Sequence, residues 1–290
     1  MSEPQFKKIV VFGVGLIGGS FALALRKANA VGEVVGFGRS AANLQHAQEL
    51  GIIDRAGGDI AAEVGDADLL LLATPVGQMA ELMAKIAPHI GVHTLITDGG
   101  STKSDVVGYG YEKLGSKIGQ FVPAHPIAGA EQSGAAAAGA ELYAGKKVVL
   151  TPLPENSPQA ISRVQSAWEA CGANIHLLSH KEHDAVFAAV SHLPHLLSFA
   201  LVHDIAQRDN RELLMSFAAS GFRDFTRIAA SSPEMWRDIC LANREALLKE
   251  LNSYIGELST MSSALEQGDA AMLEQTFHTA RELRAGWSEK

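Results

Sequence analysis

Lys8 to Gly18 reads KIVVFGVGLIG, and its two halves obey different periodicities. Lys8 to Phe12 is a short β-branched, apolar run of the kind that forms a buried strand, and it stops at Gly13. Beyond it the apolar residues Leu16, Phe21, Leu23 and Leu25 recur at spacings that suit a helix packed on a sheet. Gly13, Gly15 and Gly18 stand at the junction. In a G-x-G-x-x-G turn the first glycine permits the tight turn, the second lets a pyrophosphate approach the backbone, and the third lets the helix pack on the strand. The helix N-terminus then faces the anion. The segment is read as the phosphate turn of a dinucleotide site, with Leu16 and Ile17 among the cofactor contacts. A flavin or S-adenosylmethionine site is the competing reading.

The rhythm continues outward. Val34 to Phe37, Leu69 to Ala73, Thr94 to Thr97, Gln120 to Val122, Lys147 to Thr151 and Asn174 to Leu178 are further buried-strand candidates. Most are separated by helix-compatible segments such as Ala41 to Leu50, Gln78 to Ile90 and Ser157 to Ala170. Such alternation predicts an α/β fold with a doubly wound, mostly parallel sheet covered on both faces. The Ala/Gly-rich piece Ser133 to Gly145 interrupts the rhythm and is read as a surface excursion near the ligand cleft, free to move. Beyond about Ser179 the strand patterns stop and long helical ones begin. Residues 1–179 are therefore expected to form the dinucleotide-binding domain and residues 180–290 a helical domain. Pro194 lies inside the apolar pattern Ala185 to Ile205 and should kink or divide that helix. Val186 to Val202 is apolar on more than one face, which predicts burial against another subunit or domain, and a homodimer is expected.

Composition excludes several functions. The 290 residues carry 24 basic and 32 acidic side chains, a net charge of −8 with no Lys/Arg-rich run, so a nucleic-acid partner is not expected. Cys171 and Cys240 stand alone, which fits a reducing compartment without a disulfide. The N-terminal MSEPQFKK lacks a signal-like apolar segment, and no uninterrupted apolar run approaches the roughly 20 residues that span a bilayer. The expectation is a soluble, cytoplasmic protein with no membrane partner.

The end of the second strand bears on the nucleotide. An Asp or Glu there would hold both adenosine ribose hydroxyls, but the chain reads Gly36, Phe37, Gly38, Arg39, Ser40. Gly38 removes the carboxylate that would repel a 2′-phosphate, while Arg39 can pair with that phosphate and Ser40 can hydrogen-bond it. NADP is preferred on this reading, with NAD as the second option. An Arg39 that merely stacks on adenine is the bland alternative. Thr74 and Pro75, just past the strand at Leu69 to Ala73, complete the candidate cofactor contacts.

The chemistry is sought in PAHPIAGAEQSG, Pro123 to Gly134, where His125 sits in a Pro-framed turn. Hydride leaves a carbinol carbon readily only if a base takes the hydroxyl proton, and a neutral imidazole of pKa about 6.5 suits that role near neutrality. Asp98 to Lys103, DGGSTK, follows a strand at the carboxyl edge and supplies Ser101 and Lys103. Ser191 to His195, SHLPH, sits at the Pro194 break, and Ser220 to Arg227, SGFRDFTR, offers Arg223 and Arg227 one helical turn apart. Arginine suits a carboxylate because its planar fork makes two parallel bonds. Each also has a bland reading. His192 and His195 could be a buried pair at a kink, and Arg223 and Arg227 a solvated face beside Asp224. His176, His180 and His183 approach metal-ligand spacing, but no Cys or carboxylate cluster accompanies them and no metal is expected.

Taken in order, GLIGGS, DGGSTK, HPIAGAE, SHLPH and GFRDFTRIA resemble the prephenate/arogenate dehydrogenase family of tyrosine biosynthesis along nearly the whole chain. The resemblance implies an N-terminal Rossmann domain, a helical C-terminal domain that binds substrate and forms the dimer, and oxidative decarboxylation of prephenate or arogenate. It places the catalytic histidine on His125 and its supporting serine on Ser101. It places the substrate-binding histidine on His195 and the arginine that grips the ring carboxylate on Arg227, with Arg223, Glu131 and Trp236 as further substrate contacts. Glu131 would border the substrate entrance.

This chain has Ala130 where the family often has Thr, and uncharged Gln132 beside Glu131, so the choice between prephenate and arogenate stays open. The end at Lys290 leaves no room for a fused regulatory or mutase module, which predicts a monofunctional enzyme on which tyrosine would act at the active site. Two rivals remain. A β-hydroxyacid or imine reductase type of dehydrogenase would use a lysine as its central proton group, and Lys103 is the one placed for it. A non-catalytic NADP-sensing module would need neither a base nor a carboxylate clamp.

Overall fold

A computed structural model of the chain describes residues 3–129 and 134–287. Strand β1 (Phe6–Phe12) is buried at every position except Lys7. It is joined by β2 (Val31–Phe37), β3 (Arg55–Ala56), β4 (Leu69–Leu72) and β5 (Leu95–Asp98) in a parallel sheet of order β3-β2-β1-β4-β5. Val10 lies opposite Val35 on one side and Leu70 on the other. Helices α1 (Leu16–Lys27), α2 (Ala41–Glu49), α3 (Ile60–Gly65), α4 (Val76–Ile86) and α5 (Ser104–Leu114) connect or follow these strands.

Successive residues of each strand enter different cores. Ile9, Val11, Leu69 and Leu71 pack with Phe21, Leu25 and Trp168, whereas Val10, Phe12, Leu70 and Leu72 pack with Met79, Met83 and Ile86. A sheet covered on both faces needs such continuous apolar strands, which is why β4 is four leucines in a row. The order reverses between β1 and β4, and their carboxyl ends open a crevice. At its floor Gly13 adopts φ 96°, and any Cβ there would collide with the Ala73 carbonyl.

The single sheet expected from the strand rhythm divides in two. β6 (Ala124–Pro126), β7 (Lys147–Leu150) and β8 (Asn174–Leu177) form a separate sheet of order β6-β7-β8, antiparallel then parallel. Gln120 to Val122 is not a strand. A 3-10 turn occupies Gly115–Gln120, Phe121 makes one isolated parallel bridge to Ile96, and Pro123 has no N–H with which to extend the ladder. His125, read as a turn residue, lies instead in β6, paired with Val149. Pro126 is tolerated because β6 is an edge strand.

The Ala/Gly-rich segment is also not a loose excursion. From Gly134 onward it packs on the helices beside β1, with Ala135 and Tyr143 fully buried. The Tyr143 hydroxyl donates to the Ile17 carbonyl at 2.6 Å, Gly139 N donates to Ser20 Oγ at 3.0 Å, and Ala135 N donates to Asn43 Oδ1 at 3.3 Å. Helix α6 (Pro158–Ala170) covers the same core through Trp168.

After β8 the described elements are helical: α7 (His180–Phe187), α8 (Leu193–Ala206), α9 (Arg211–Ser216), α10 (Ser220–Thr226) and α11 (Pro233–Ala242). Pro194 divides the first of these patterns as expected, and a π turn over Ala188–His192 separates α7 from α8. His180–Ala206 is long and apolar enough, by length and composition, to cross a membrane, although charged residues and histidines interrupt its apolar run. Its His183, Asp184, His192 and His195 are nonetheless hydrogen-bonded to protein groups.

The chain divides into two compact units, Met1–Arg244 and Glu245–Lys290. The second comprises most of α12 (Arg244–Gln267) and all of α13 (Ala270–Gly286). Gly268 turns the chain between them at φ 66°, and the Asp269 side chain caps α13 through Met272 N at 3.0 Å.

Candidate active site

A cavity of about 920 Å³ opens beside the phosphate turn. Its wall includes Gly15, Leu16, Ile17, Arg39, Thr74, Pro75, Gly99, Gly100, Ser101, Gly129, Gly134, His195, Arg227 and Asp238. Nine of the sequence candidates thus meet on one surface. Gly15 faces the cavity, and a Cβ added there meets nothing within 4 Å, so packing does not require its glycine. Gly18 serves packing instead: its Cβ would strike the Gly13 carbonyl and sit 2.7 Å from Val11 Cγ1. Thr74 Oγ1, on the wall, is buried without a hydrogen-bond partner. An open glycine backbone, an orphaned hydroxyl and Arg39 fit a dinucleotide.

Other candidates lie off this wall. Gly38 is exposed, and a Cβ there would make only ordinary contact with Leu44 at 3.5 Å, so folding does not demand a glycine. Ser40 caps α2 by accepting from Asn43 N at 3.2 Å. Arg223 is exposed beside Asp224, on a separate shallow groove with Phe222 and Arg227. Trp236 is buried with its ring stacked on His195 at 3.7 Å between centroids, so it supports that ring rather than forming the cavity surface. Glu131, with Ala130 and Gln132, lies outside the described residues.

His125 is not on the wall either, although its strand leads to the wall at Gly129. Its ring packs edge-on against His183 and Phe187, at 5.0 and 4.9 Å between centroids. Burial holds its pKa well below the ordinary imidazole value, and His183, Lys103 and His192 push the same way. His125 is therefore neutral at pH 7. Its Nδ1 lies 2.8 Å from His183 Nε2, and His183 Nδ1 lies 2.8 Å from Asp184 Oδ1. Asp184 also accepts from Lys103 N at 2.8 Å and Ser104 N at 2.7 Å. Burial alone would raise the Asp184 pKa, but its hydrogen bonds from His183 and Ser104 and from the Ser104 and Lys103 backbone hold it at about 2.

The DGGSTK loop scaffolds this assembly. Asp98 accepts from Ala124 N at 3.0 Å and Gly100 N at 2.8 Å, and the fully buried Lys103 binds Asp98 and donates to the Ala124 carbonyl at 2.8 Å. Both backbone groups of the residue preceding His125 are thereby clamped. A lysine so consumed, and absent from the cavity wall, cannot serve as the proton group that a rival dehydrogenase would require.

The SHLPH histidines have distinct partners. Asn243 Nδ2 donates to the Asp184 carbonyl at 2.8 Å and to His192 Nδ1 at 3.0 Å, leaving the other His192 nitrogen to donate toward the Ser101 backbone. Burial brings the His192 pKa down to about 4. His195 donates Nδ1–H to the Ser191 carbonyl at 2.8 Å, and burial lowers its pKa, with Arg227 adding to the effect. Its Nε2 is left as an acceptor, and the residue stands on the cavity wall. His180 is taken by Ser104 Oγ at 3.1 Å, so the three spaced histidines do not converge. No group of three or more His, Cys, Asp or Glu able to hold a metal occurs among the described residues.

Sequence reasoning missed Asp184, Asn243 and Asp238, and considered His183 only as one of three histidines near metal-ligand spacing. None sits in a glycine-rich or proline-marked motif. The available signal was the His183–Asp184 pair in the polar first half of a helix that turns apolar only at Ala185, just past a Ser179–Glu182 capping box.

Known proteins share this outline. The family model described as the nucleotide-binding domain of prephenate dehydrogenase matches residues 21–177, and the one described as its dimerization domain matches residues 179–279. Prephenate dehydrogenase of Bacillus subtilis is 39% identical over 281 residues, covering 96% of this chain and 75% of that protein. Cyclohexadienyl dehydrogenase of Zymomonas mobilis is 36% identical, covering 96% and 95%. The crystal structure of Aquifex aeolicus prephenate dehydrogenase with hydroxyphenyl propionate and NAD+ superposes with a TM-score of 0.90 at 34% identity, covering 96% of this chain and 97% of that one. Synechocystis arogenate dehydrogenase gives 0.82 at 29% identity, covering 97% and 100%.

Proposed function

Because this chain belongs to the prephenate dehydrogenase family, we propose that it oxidises prephenate or arogenate with loss of carbon dioxide, giving 4-hydroxyphenylpyruvate or tyrosine. The observation that carries the reading is one cavity joining a phosphate turn, Ser101, His195 and Arg227, with a half-buried, neutral His125 on the strand that leads to its wall at Gly129. When bound, the nicotinamide dinucleotide supplies the hydride acceptor. Gly15, Leu16, Ile17, Thr74 and Pro75 would hold it, with Gly13 and Gly18 shaping the turn. His125 accepts a hydrogen bond and then the proton from the C4 hydroxyl, as hydride leaves C4 and the carbonyl forms. Arg227 pairs with the ring carboxylate and fixes the ring until that group departs as carbon dioxide and the ring becomes aromatic. Ser101 bonds the same hydroxyl, and His195, supported by Trp236, offers an acceptor to the substrate. Arg223 and Glu131 complete the proposed substrate contacts.

The preferred cofactor is NADP. Gly38 leaves room and no negative charge where a 2′-phosphate would lie, Arg39 stands on the cavity wall, and Ser40 keeps its hydroxyl proton while capping α2. The functional division is placed at residues 179/180. The chain works as a cytoplasmic homodimer. A matched dimerization-domain model and the exposed Leu248, Ile255, Leu258, Leu265, Phe277 and Leu283 support the dimer. Tyrosine, as a product or product analogue, would compete at the active site.

Initial rates with prephenate or arogenate, each with NADP+ or NAD+, test the proposal. Turnover of at least one substrate with higher kcat/KM for NADP+ is expected. Arg227→Ala should raise KM for the ring substrate about tenfold or more with a smaller change in kcat. No turnover in any combination, from protein that binds NADP+, would return the reading to a sensor.

A further inference from the structure

We propose that Asp184 and His183 are positioning residues for the base, fixing the His125 ring so that Nε2 is its one open proton acceptor. The inference rests on the reading of His125 as the base and adds how that base is oriented. Its logic is that of donors and acceptors. An ionised carboxylate can only accept, so the 2.8 Å contact with Asp184 Oδ1 puts the His183 proton on Nδ1. A neutral His183 then has a lone pair on Nε2. The 2.8 Å contact with His125 must be filled by the His125 Nδ1 proton, which leaves the lone pair of His125 on Nε2.

Each link is anchored. His183 is fully buried and Asp184 nearly so. The Asp184 carboxylate is held by the Lys103 and Ser104 backbone N–H groups, at the start of α5, and its carbonyl by Asn243. Phe187, one turn along α7 from His183, packs against both imidazoles. When His125 takes the substrate proton, the cation formed keeps its Nδ1–H bond to His183, whose far side faces the Asp184 carboxylate. The groups facing His125 are His183, His192 and Lys103, and those facing His183 are Asp184, Asp98 and Lys103. Lys103 is itself in contact with Asp98, so Asp184 is the anion left to stabilise the cation along the ring chain.

The test is the pH profile of kcat at saturating substrate and cofactor for His183→Leu, His183→Gln and Asp184→Asn. His183→Leu should lower kcat about tenfold or more with KM changed less than about threefold. His183→Gln, whose amide oxygen can still accept from His125 Nδ1–H, should recover part of that loss. Asp184→Asn removes the anion that favours the protonated base, so the acid limb should move to lower pH. A merely structural role would reduce folded protein without moving that limb. Should a variant fail to fold, imidazole nitrogen NMR of the unaltered protein decides, with His125 as the Nδ1–H tautomer expected and the Nε2–H tautomer overturning the inference. His125→Asn separates the two claims. Undiminished kcat in that variant ends the base reading itself, whereas its inactivity beside wild-type kcat and acid limb in His183→Leu ends only the positioning role.

Discussion

At the scale of single residues, the glycines divide into those the fold requires and those it does not. Gly13 and Gly18 have no room for a Cβ, but Gly38 is exposed and would meet only Leu44. Its identity therefore answers to whatever lies outside the protein. Gly38→Asp should leave folding intact and invert cofactor preference, lowering kcat/KM with NADP+ relative to NAD+ about tenfold or more. An unchanged ratio of the two values would remove the argument for NADP. The glycine turn and Arg39 were legible in the sequence because their spacing along one strand and helix carries the information. His183 and Asp184 were not, because what they do depends on His125 and Lys103, more than fifty residues away in either case. Only the rival dehydrogenase gave Lys103 a proton role, since nothing local reveals that its buried ammonium is bound to Asp98 and the Ala124 carbonyl.

At the scale of elements, strands within the parallel sheet were read well, because burial on both faces writes a continuous apolar run. The second sheet was not, because β6 is three residues long and framed by prolines, which read as a turn. The π turn is a subtler case. It bonds Leu193 N to the Ala188 carbonyl and, by adding a residue to the turn, rotates α8 by about 100° relative to an unbroken helix. His192 and His195, both set by this rotation, face Trp236 at 6.1 and 3.7 Å between ring centroids, and His192 also accepts from Asn243. Pro194→Ala restores an N–H that favours regular helix. KM for the ring substrate should then rise about tenfold, with melting temperature altered by no more than a few degrees. Unaltered KM would show that the π turn does not depend on the proline.

At the scale of the whole molecule, the buried histidines govern acid stability. His125, His183 and His192 all have folded pKa values below the ordinary imidazole value, His192 at about 4. Below pH ~6.5 the unfolded chain binds protons that the folded one refuses, so their contribution is complete above that pH. It is lost as pH falls toward 4, by about 3 kcal/mol for His192 alone. Asp184, held at about 2, adds a further loss between pH ~4 and 2. Thermal unfolding followed from pH 8 to 4 should show a midpoint that starts to fall near pH 6.5, and a flat midpoint would contradict the buried neutral histidines. The Ala/Gly-rich segment has a consequence of another kind. Ala138 sits so close to α1 that a Cβ on Gly19 would come within 2.8 Å of it, while Asn43 spans from Ala135 to the Val14 carbonyl in the phosphate turn. The segment is a shim one methyl thick. Its plain composition records a clearance rather than indifference, because between α1 and the Asn43 bridge the chain has room for little more than a methyl group.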